Sequence, residues 1–235
     1  MKHIVPVYSC LVFGGIVFCL SMVCHTCRAE EPADEAGQQT LSCIEQAHKK
    51  SRALSVRFSQ TRRLSFLKRP LRSEGMLVFE EPDHIRFEIA TPYCSVMMYD
   101  GQAVRCFEHD GEKWHALDQG GAEGIVKLIL KQVAGWVHGD FGKESTFSLR
   151  VEDASLDKPV IRLTPVDKGV ASLIREIRLV FGGAPGYHVA TVTIHENGGN
   201  STLLSFAEPE PHESLPPAIF TKPEAVPPFR KQADE

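Results

Sequence analysis

Short segments in which apolar and polar residues alternate recur along most of the chain, and this pattern constrains the fold more than any other. The clearest is Ile85-Arg86-Phe87-Glu88-Ile89, with three apolar side chains on one face. Turn-forming residues, including Asp100-Gly101 and the Asn-Gly-Gly-Asn run at 197–200, separate such segments at intervals of about 8–12 residues. A mainly β fold is therefore predicted, an antiparallel meander of about 10–11 strands in a single domain.

Two segments have instead the apolar spacing of amphipathic helices, at residues 38–54 and 123–137. Helices of about 15 residues are about 22 Å long, which is too short to cover a broad sheet that is apolar on one face and wet on the other. A sheet of that width must curl to satisfy its edges and its twist. We expect a strongly curved sheet with a concave interior. Its interior is either a packed core or an apolar cavity, and periodicity does not decide between them.

The first 29 residues are typical of an export signal. Residues 4–24 carry no charge and follow Lys2, and Cys27-Arg28-Ala29 offers small residues at −3 and −1 of a cut before Glu30. A cleaved signal is predicted, with a retained membrane anchor as the alternative, because the apolar run is long enough to span a bilayer. Either outcome places the body of the protein outside the cytoplasm, and we predict the periplasm.

The remaining chain divides into a flexible lead-in at 30–39, a folded domain at 40–225 and an extended tail at 226–235. From residue 208 onward the chain is rich in proline, so this part is expected to be extended and to wrap around the domain or dangle from it. The formal net charge of −4 argues against a nucleic-acid-binding function, which normally requires a basic excess.

Three cysteines remain once the signal is removed: Cys43, Cys94 and Cys106. A three-residue hairpin loop with Gly101 in the left-handed region would place Cys94 directly opposite Cys106, whereas a two-residue Asp-Gly turn would place them on opposite faces. An exported protein permits a disulfide. The sequence therefore leaves both a Cys94–Cys106 bridge and a pair of buried thiols open.

Local signatures of catalysis are missing from the sequence, which contains no Gly-x-Ser-x-Gly elbow, Walker loop or His-Glu-x-x-His helix. Two groups of polar residues adjoin predicted turns: His109, Asp110 and His115 at one, and His195-Glu196 at another. The simplest interpretation of both groups is that they are solvated turn residues. We predict a protein that is not an enzyme and holds no metal or cofactor. A periplasmic hydrolase stays a further alternative, because catalytic triads are assembled from scattered positions.

The densest charged feature is residues 62–72, termed the basic segment below. It has no acidic residue and contains Arg62, Arg63, Lys68, Arg69 and Arg72. One interpretation is a solvated strand–turn–strand edge, since Lys and Pro commonly protect sheet edges. The other is a loop that faces anionic lipid head groups or an acidic partner, for which the interleaved Phe66 and Leu67 would be suitable.

Several of these elements occur in an order that resembles a known family. The leading helix is followed by Phe58-Ser59-Gln60, by the stretch SEGMLVFEEPDHIRF at 73–87, by Pro92 and Tyr99-Asp100-Gly101, and later by LTP at 163–165 and PAIFTKP at 217–223. Over most of residues 40–225 the chain resembles the LolA-like family of periplasmic lipoprotein carriers. This resemblance implies an incomplete, half-open antiparallel barrel on which the helices act as a lid over an apolar cavity for acyl chains.

The resemblance also implies a function. Family members accept a lipoprotein from an inner-membrane ABC-type exporter complex, cross the periplasm and deliver it to an outer-membrane receptor. A monomeric, non-enzymatic carrier of acylated lipoprotein or glycolipid cargo is therefore expected, and Pro70–Gly75 looks closer to relatives associated with glycolipid or aryl-polyene-type lipid export. The alternative is a periplasmic sensor or interaction module that binds a membrane-protein partner with the same half-barrel.

Carried over by position, Val78, Ile85 and Phe87 match sites where the family places cavity-facing aromatic residues, and two of the three are smaller here. Glu81 precedes the matching Pro82, where the best-known members have an Arg that ties the lid shut. Glu81 is thus the expected lid-control position, although an ionised carboxylate only accepts hydrogen bonds and cannot bind backbone carbonyls. The apolar faces of the other strands supply the remaining predicted cavity residues: Ile89, Met97, Leu163, Ile177, Leu179 and Val192.

Overall fold

A computed structural model of the chain describes residues 35–48, 52–118, 123–138 and 146–225. The predicted signal at 1–29, the first part of the lead-in and the tail at 226–235 lie outside these residues. No helix within the described ranges is both long enough and apolar enough to cross a bilayer.

Twelve strands of the described chain form one antiparallel sheet. In chain order they are β1 (Ala53–Arg63), β2 (Leu71–Glu80), β3 (His84–Thr91), β4 (Ser95–Asp100), β5 (Val104–His109), β6 (Trp114–Ala116), β7 (Phe147–Asp153), β8 (Val160–Pro165), β9 (Ile174–Phe181), β10 (Val189–Glu196), β11 (Ser201–Phe206) and β12 (Glu210–His212). Their order in the sheet is β6-β5-β4-β3-β2-β1-β11-β10-β9-β8-β7, with β12 paired to the start of β1. Because β6 and β7 are separate edges, the predicted half-open, mainly β fold is confirmed, with β12 as the strand beyond the expected ten or eleven.

The helices of the described residues are α1 (Glu35–His48), α2 (Glu123–His138), α3 (Lys168–Leu173) and α4 (Ala218–Thr221). The prediction for α2 is confirmed almost to the residue. Helix α1 begins and ends earlier than predicted, so it includes residues 35–39 of the expected lead-in and stops before Leu54. Ala53 and Leu54 instead pair with Glu80 and Phe79 in the sheet, and this ladder overrides the helical spacing of the apolar residues.

The inner face of the sheet, defined as the face that packs against α1 and α2, is filled by apolar side chains. Leu77 and Phe79 of β2 are 0% and 7% exposed, and they share one buried cluster with Ile44 of α1 and with Leu130 and Trp136 of α2. Similar residues from β1, β3 and β8–β11 extend this cluster across the sheet. Of the two possibilities left open by the sequence, the structure therefore has a packed core.

The C-terminal strap, residues 210–223, covers the opposite, outer face of the sheet. Ile219 and Phe220 of α4 are 3% and 0% exposed, and they pack with Leu215 in a second apolar cluster. Backbone contacts join α4 to β3 and β4. The proline-rich tail therefore wraps around the domain and shields an outer face that alternation alone would leave in water.

A buried ion pair fastens this strap to β3. Arg86 and Glu88 are 0% and 3% exposed, and Nη2 of Arg86 lies 2.7 Å from Oε2 of Glu88. The Arg86 guanidinium also donates to the backbone carbonyl oxygens of Ile219, Lys222 and Pro223 at 3.0, 3.1 and 2.9 Å. One side chain thus satisfies a carboxylate and three carbonyl groups that would otherwise be costly to bury.

The β4–β5 hairpin has a longer loop than either turn considered from the sequence. Tyr99 pairs with Val104, so that four residues connect the paired positions, and Gly101 has a φ of +85°. The Asp100 carboxylate accepts hydrogen bonds from the backbone N–H groups of the loop. The bond from Ala103 and the charged bond from Arg105 lower the pKa of Asp100 to about 2.

This register separates the two hairpin cysteines. Cys106 lies opposite Met97, while the Cys94 carbonyl oxygen accepts a hydrogen bond from the His109 N–H. Cys43, Cys94 and Cys106 are all thiols. The possible Cys94–Cys106 disulfide is therefore not formed, because the longer loop shifts one strand past the other.

Candidate functional site

The inner face brings together almost all of the residues predicted to line a lipid-binding cavity. They come from five strands that are distant in sequence, and strict alternation along each strand points them to the same side. Seven of them are buried in the inner cluster and Met97 packs against it: Ile85, Phe87, Ile89, Leu163, Ile177, Leu179 and Val192.

Val78 is the exception, and the prediction that it faces the cavity is wrong. It is fully buried, but on the outer face, where it packs with Leu215, Ile219 and Phe220 of the C-terminal strap. The run from Met76 to Phe79 is apolar at every position. Alternation therefore could not show which of its side chains point inward, and the strap that covers the other side was not foreseen.

Three aromatic rings form the centre of the inner face. Phe58 of β1 stacks on Phe87 of β3 with ring centroids 4.6 Å apart, and it lies 5.9 Å from the ring of Phe206 in β11. Phe58 and Phe206 were not among the predicted site residues. Their positions in alternating strands are the signal that could have identified them, because Phe58 shares a face with Leu54 and Val56.

Helix α1 is held over the edge of the sheet formed by β7. The Thr40 hydroxyl donates to the Ala154 carbonyl oxygen at 3.1 Å, and Nε2 of His48 lies 2.8 Å from the Tyr187 carbonyl oxygen. Gly37 allows close approach, since a Cβ atom there would lie 3.3 Å from Cβ of Val151. These contacts are few and peripheral, so the apolar cluster supplies most of the attachment.

Helix α2 lies over β2, β3 and β5 and has two polar attachments near the β2–β3 and β4–β5 turns. Nζ of Lys131 is 3.5 Å from Oδ1 of Asp83, with both side chains about one-third exposed. Nζ of Lys127 lies 4.6 Å from the centre of the Tyr99 ring. Exposed pairs of this kind contribute about 0–1 kcal/mol each, so α2 is fastened only lightly by polar contacts.

Glu81, the expected lid-control position, points toward the start of β1. Its carboxylate lies 3.9 Å from Nε of Arg52, and its N–H donates to the Arg52 carbonyl oxygen at 2.8 Å. The acid that contacts α2 is Asp83, two residues further along the same turn. The turn is therefore joined to the helix by an acid on the sheet and a base on the helix.

Arg62 does not belong to the exposed part of the basic segment. Its side chain is 11% exposed, and Nη2 lies 3.9 Å from Oε1 of Glu196, which is itself 18% exposed. Burial lowers the pKa of Arg62, and the charge of Glu196 offsets part of this effect. Two interpretations are thus corrected: Arg62 is not a solvent-facing contact, and Glu196 is not a solvated turn residue.

The polar residues considered for catalysis remain at an exposed turn. Nε2 of His115 lies 2.6 Å from Oδ2 of Asp110, and both side chains are nearly half exposed. Hydrogen bonds from the backbone N–H groups of Lys113 and Glu112, and from His115, lower the pKa of Asp110. No cluster of His, Cys, Asp and Glu suitable for a metal ion occurs in the part of the chain that the structure describes.

The arrangement defines a class of protein: a half-open antiparallel barrel with an apolar inner face. Two helices cover this face, and their polar contacts with the described part of the sheet are few. The family of outer membrane lipoprotein carrier proteins named LolA matches residues 49–223. The chain belongs to this family. It is also 25% identical over 180 residues to an outer-membrane lipoprotein carrier protein of Dechloromonas aromatica (strain RCB), a match that covers 75% of this chain and 81% of the relative.

Several solved structures are similar to this chain at lower identity. A LolA superfamily protein from Nitrosomonas europaea is 13% identical with a TM-score of 0.43, covering 79% of this chain and 97% of that one. LprF from Mycobacterium bovis is 15% identical with a TM-score of 0.43, covering 80% and 98%. The lipoprotein LppX of Mycobacterium tuberculosis is 13% identical with a TM-score of 0.42, covering 76% and 98%.

Proposed function

We propose that this protein is a non-enzymatic periplasmic carrier that holds the acyl chains of a lipoprotein, or of a related lipid, between the inner face and helices α1 and α2. It would receive this cargo from an inner-membrane exporter complex and deliver it to an outer-membrane acceptor. The observation that carries the proposal is the continuous apolar layer that Phe58, Phe87 and their neighbours form under two helices that make few polar contacts with the described part of the sheet. Membership of the carrier family supports the same function.

An acyl chain needs such a site because its exposure to water is costly. Each methylene group transferred from water to an apolar environment gains about 0.8 kcal/mol. A soluble carrier must therefore cover the whole chain during transit. The inner face offers aliphatic and aromatic side chains for this purpose.

Cargo binding requires the helices to move, since the interior is filled. Ile44 of α1 and Leu130 of α2 are 0% and 2% exposed and occupy the space next to the inner face. An acyl chain would replace these side chains as the apolar partner of the sheet. The free-energy difference between the closed and open states need then be only a few kcal/mol, because buried apolar surface is exchanged rather than lost.

A disulfide that locks α1 onto β7 tests this mechanism. Cβ atoms at positions 37 and 151 would lie about 3.3 Å apart, close to the span of about 3.5–4.5 Å found in disulfides. The variant carries G37C and V151C with Cys43, Cys94 and Cys106 replaced by Ala. We expect the reduced protein to bind a fluorescent fatty-acid probe at about one per molecule, and the oxidised protein to lose binding until a reductant is added.

The control is each single-cysteine variant under the same oxidising conditions, which should bind the probe with or without reductant. If the reduced, folded protein takes up no acyl probe, the carrier proposal is wrong. If the locked protein binds as well as the reduced one, the cargo does not enter under α1. Mass spectrometry of lipid that co-purifies from the native periplasm would then identify the cargo or show that there is none.

The alternative function, a sensor or interaction module for a membrane protein, predicts a different pattern. Such a protein would be recovered in a stable complex with a protein partner and without lipid. The locked variant would retain that partner, because an outer surface of the half-barrel does not depend on helix movement.

A further inference from the structure

One end of the sheet carries most of the large apolar side chains that are exposed in the described residues. Neighbouring strands run antiparallel, so the β1–β2, β3–β4, β5–β6, β8–β9 and β10–β11 connections all lie at this end, which we call the basic end. The exposed residues there, with their exposed fractions, are Phe66 (74%), Leu67 (40%), Leu71 (49%), Tyr93 (62%) and Val166 (56%). Leu156, which is 55% exposed, lies at the opposite end.

At this end the basic segment carries a local excess of positive charge, whereas the β5–β6 turn carries the acids Asp110 and Glu112. Arg63, Lys68, Arg69 and Arg72 are exposed, and residues 62–73 include no Asp or Glu, although the whole chain has a net charge of −4. None of these four side chains forms an ion pair with a residue that the structure describes. Their charge is therefore available to a negatively charged surface.

The loop that carries Phe66 and Leu67 is held in place. The Leu67 N–H donates to the Leu64 carbonyl oxygen at 3.0 Å, which closes a tight turn. The Ser65 N–H donates to Oδ1 of Asn200 at 2.9 Å, which ties this loop to the β10–β11 turn. Phe66 is thus presented to solvent by a fixed backbone, and little further ordering is needed when it meets a partner.

Helices α1 and α2 have their polar attachments at the other end of the sheet. Thr40 and His48 contact the β7–β8 and β9–β10 connections, and Lys131 contacts Asp83 in the β2–β3 turn. A surface that covers the basic end would therefore leave these contacts, and the movement of both helices, unobstructed.

We propose that the basic end docks on a membrane surface that contains anionic lipid. Phe66, Leu67 and Tyr93 enter the interfacial region, while Lys68 and Arg69 contact phosphate groups of the lipids. The apolar side chains lie on separate turns and not in one groove, which suits a deformable bilayer interface better than a rigid protein surface. Basic residues flanking aromatic and aliphatic ones are also the combination that holds peripheral proteins at anionic interfaces. The proposal does not depend on cargo or on the carrier function.

Vesicle flotation tests the proposal. The purified protein is mixed with vesicles of phosphatidylcholine alone or of phosphatidylcholine with phosphatidylglycerol. We expect binding to the anionic vesicles, weakened by salt, and about thirtyfold weaker for K68Q/R69Q because two charges of about 1 kcal/mol each are lost. The affinity of the double variant F66S/L67S should fall at least about tenfold, since two apolar side chains no longer enter the interface. All variants keep the same N-terminal segment, so any affinity of residues 1–29 is common to them.

Matched controls come from the opposite end of the sheet. L156S removes a leucine that is more exposed than Leu67, and K158Q removes an exposed lysine, and neither should change vesicle binding. A second readout uses F66W, whose fluorescence emission should shift to the blue only when anionic vesicles are present. Uptake of the fatty-acid probe should be unchanged in F66S/L67S, so failure here is distinguishable from failure of the carrier proposal.

Equal binding of the native protein, F66S/L67S and K68Q/R69Q would overturn the proposal. So would a lack of binding to anionic vesicles by the folded native protein. Loss of binding to an acidic membrane-protein fragment in both double variants, with no vesicle binding, would assign this end to a protein partner instead.

Discussion

Gly75 lies where the backbones of β2 and β3 approach each other too closely for a side chain. A Cβ atom there would lie 2.0 Å from the Glu88 carbonyl oxygen and 2.7 Å from Cζ of Phe58. The pairing of β2 with β3 shifts between Glu74 and Gly75, as in a β-bulge. This glycine therefore connects the strand register to the packing of the aromatic rings on the inner face.

Replacing Gly75 by Ala should destabilise the protein by about 1–3 kcal/mol or more, since either the backbone of β3 or the Phe58 ring must move. Urea denaturation followed by circular dichroism measures the change in the free energy of unfolding. The matched control is G124A in helix α2, where a Cβ atom would meet nothing within 4 Å. That substitution should stabilise by about 0.5–1 kcal/mol. Equal effects of the two substitutions would show that close approach at Gly75 is not the cause.

At the scale of elements, helix α2 carries an ion pair to the sheet that the proposed opening would have to break. Its pairing of Lys131 with Asp83 joins a helix to a turn of the sheet across the edge of the apolar interior. In the family resemblance this task belongs to an Arg immediately before the proline that matches Pro82. Here the base, Lys131, is on the helix and the acid, Asp83, is on the sheet.

Replacing Lys131 by Gln should favour the open state and raise the affinity for a fatty-acid probe. Loss of an exposed pair costs the closed state about 0–1 kcal/mol, which corresponds to an increase in affinity of up to about fivefold when the closed state dominates. Probe titration at low salt measures this, and the charge-exchanged variant D83K/K131D should restore the native affinity. K158Q serves as the control lysine. A K131Q affinity equal to that of the native protein would contradict a role for this pair in closure.

The elements that the sequence predicted well are those with a long repeating pattern. Helix α2 and strands such as β3, β9 and β10 have enough alternate or helical positions for the period to be unambiguous. Strand β12 and helix α4 were missed because three or four residues in a proline-rich tail have no measurable period. They form because β1 and the outer face of β3 and β4 offer them partners.

The residues of the candidate site were likewise predicted from the sequence only in part. Alternation placed Phe87, Ile177 and Val192 on the inner face correctly. The unbroken apolar run around Val78 gave no information about which face of the sheet each of its side chains occupies. The burial of Arg86 and Glu88 could not be read from a strand in which charged residues alternate with apolar ones. That pattern normally indicates that the charged face of the strand is in contact with water. Here the C-terminal strap, which is distant in sequence, covers this face and buries both charged residues.

At the scale of the whole molecule, the sheet has two differently built halves. The outer face of β7–β9 carries an exposed network in which Arg162 and Arg178 bind Glu152. The outer face of β2–β4 is covered by the C-terminal strap, which Arg86 anchors through three carbonyl groups. The strap therefore stabilises the outer face of the half of the sheet beneath α2, and we expect this half to stay rigid while the helix moves.

Replacing Arg86 by Met should destabilise the whole domain by about 3–5 kcal/mol, because Glu88 is then buried without the guanidinium. Urea denaturation measures the loss, and limited proteolysis should show earlier cleavage within residues 210–223. The double variant R86M/E88L removes both charges and should recover part of the stability, although the strap carbonyl groups still lack their donor. If R86M unfolds at the same urea concentration as the native protein, the ion pair does not anchor the strap.

The pairing of β1 with β11 and β12 has a consequence for how the protein is made. Strand β1 is the first strand to leave the ribosome or a translocation channel, yet two of its partners are among the last segments to follow. Until then its edge is open to pairing with other chains, a known source of aggregation. The strap that seals β2–β4 arrives later still. We therefore expect the emerging chain to need protection by a holding chaperone until residue 223 has passed, so that folding is completed only after release of the entire domain.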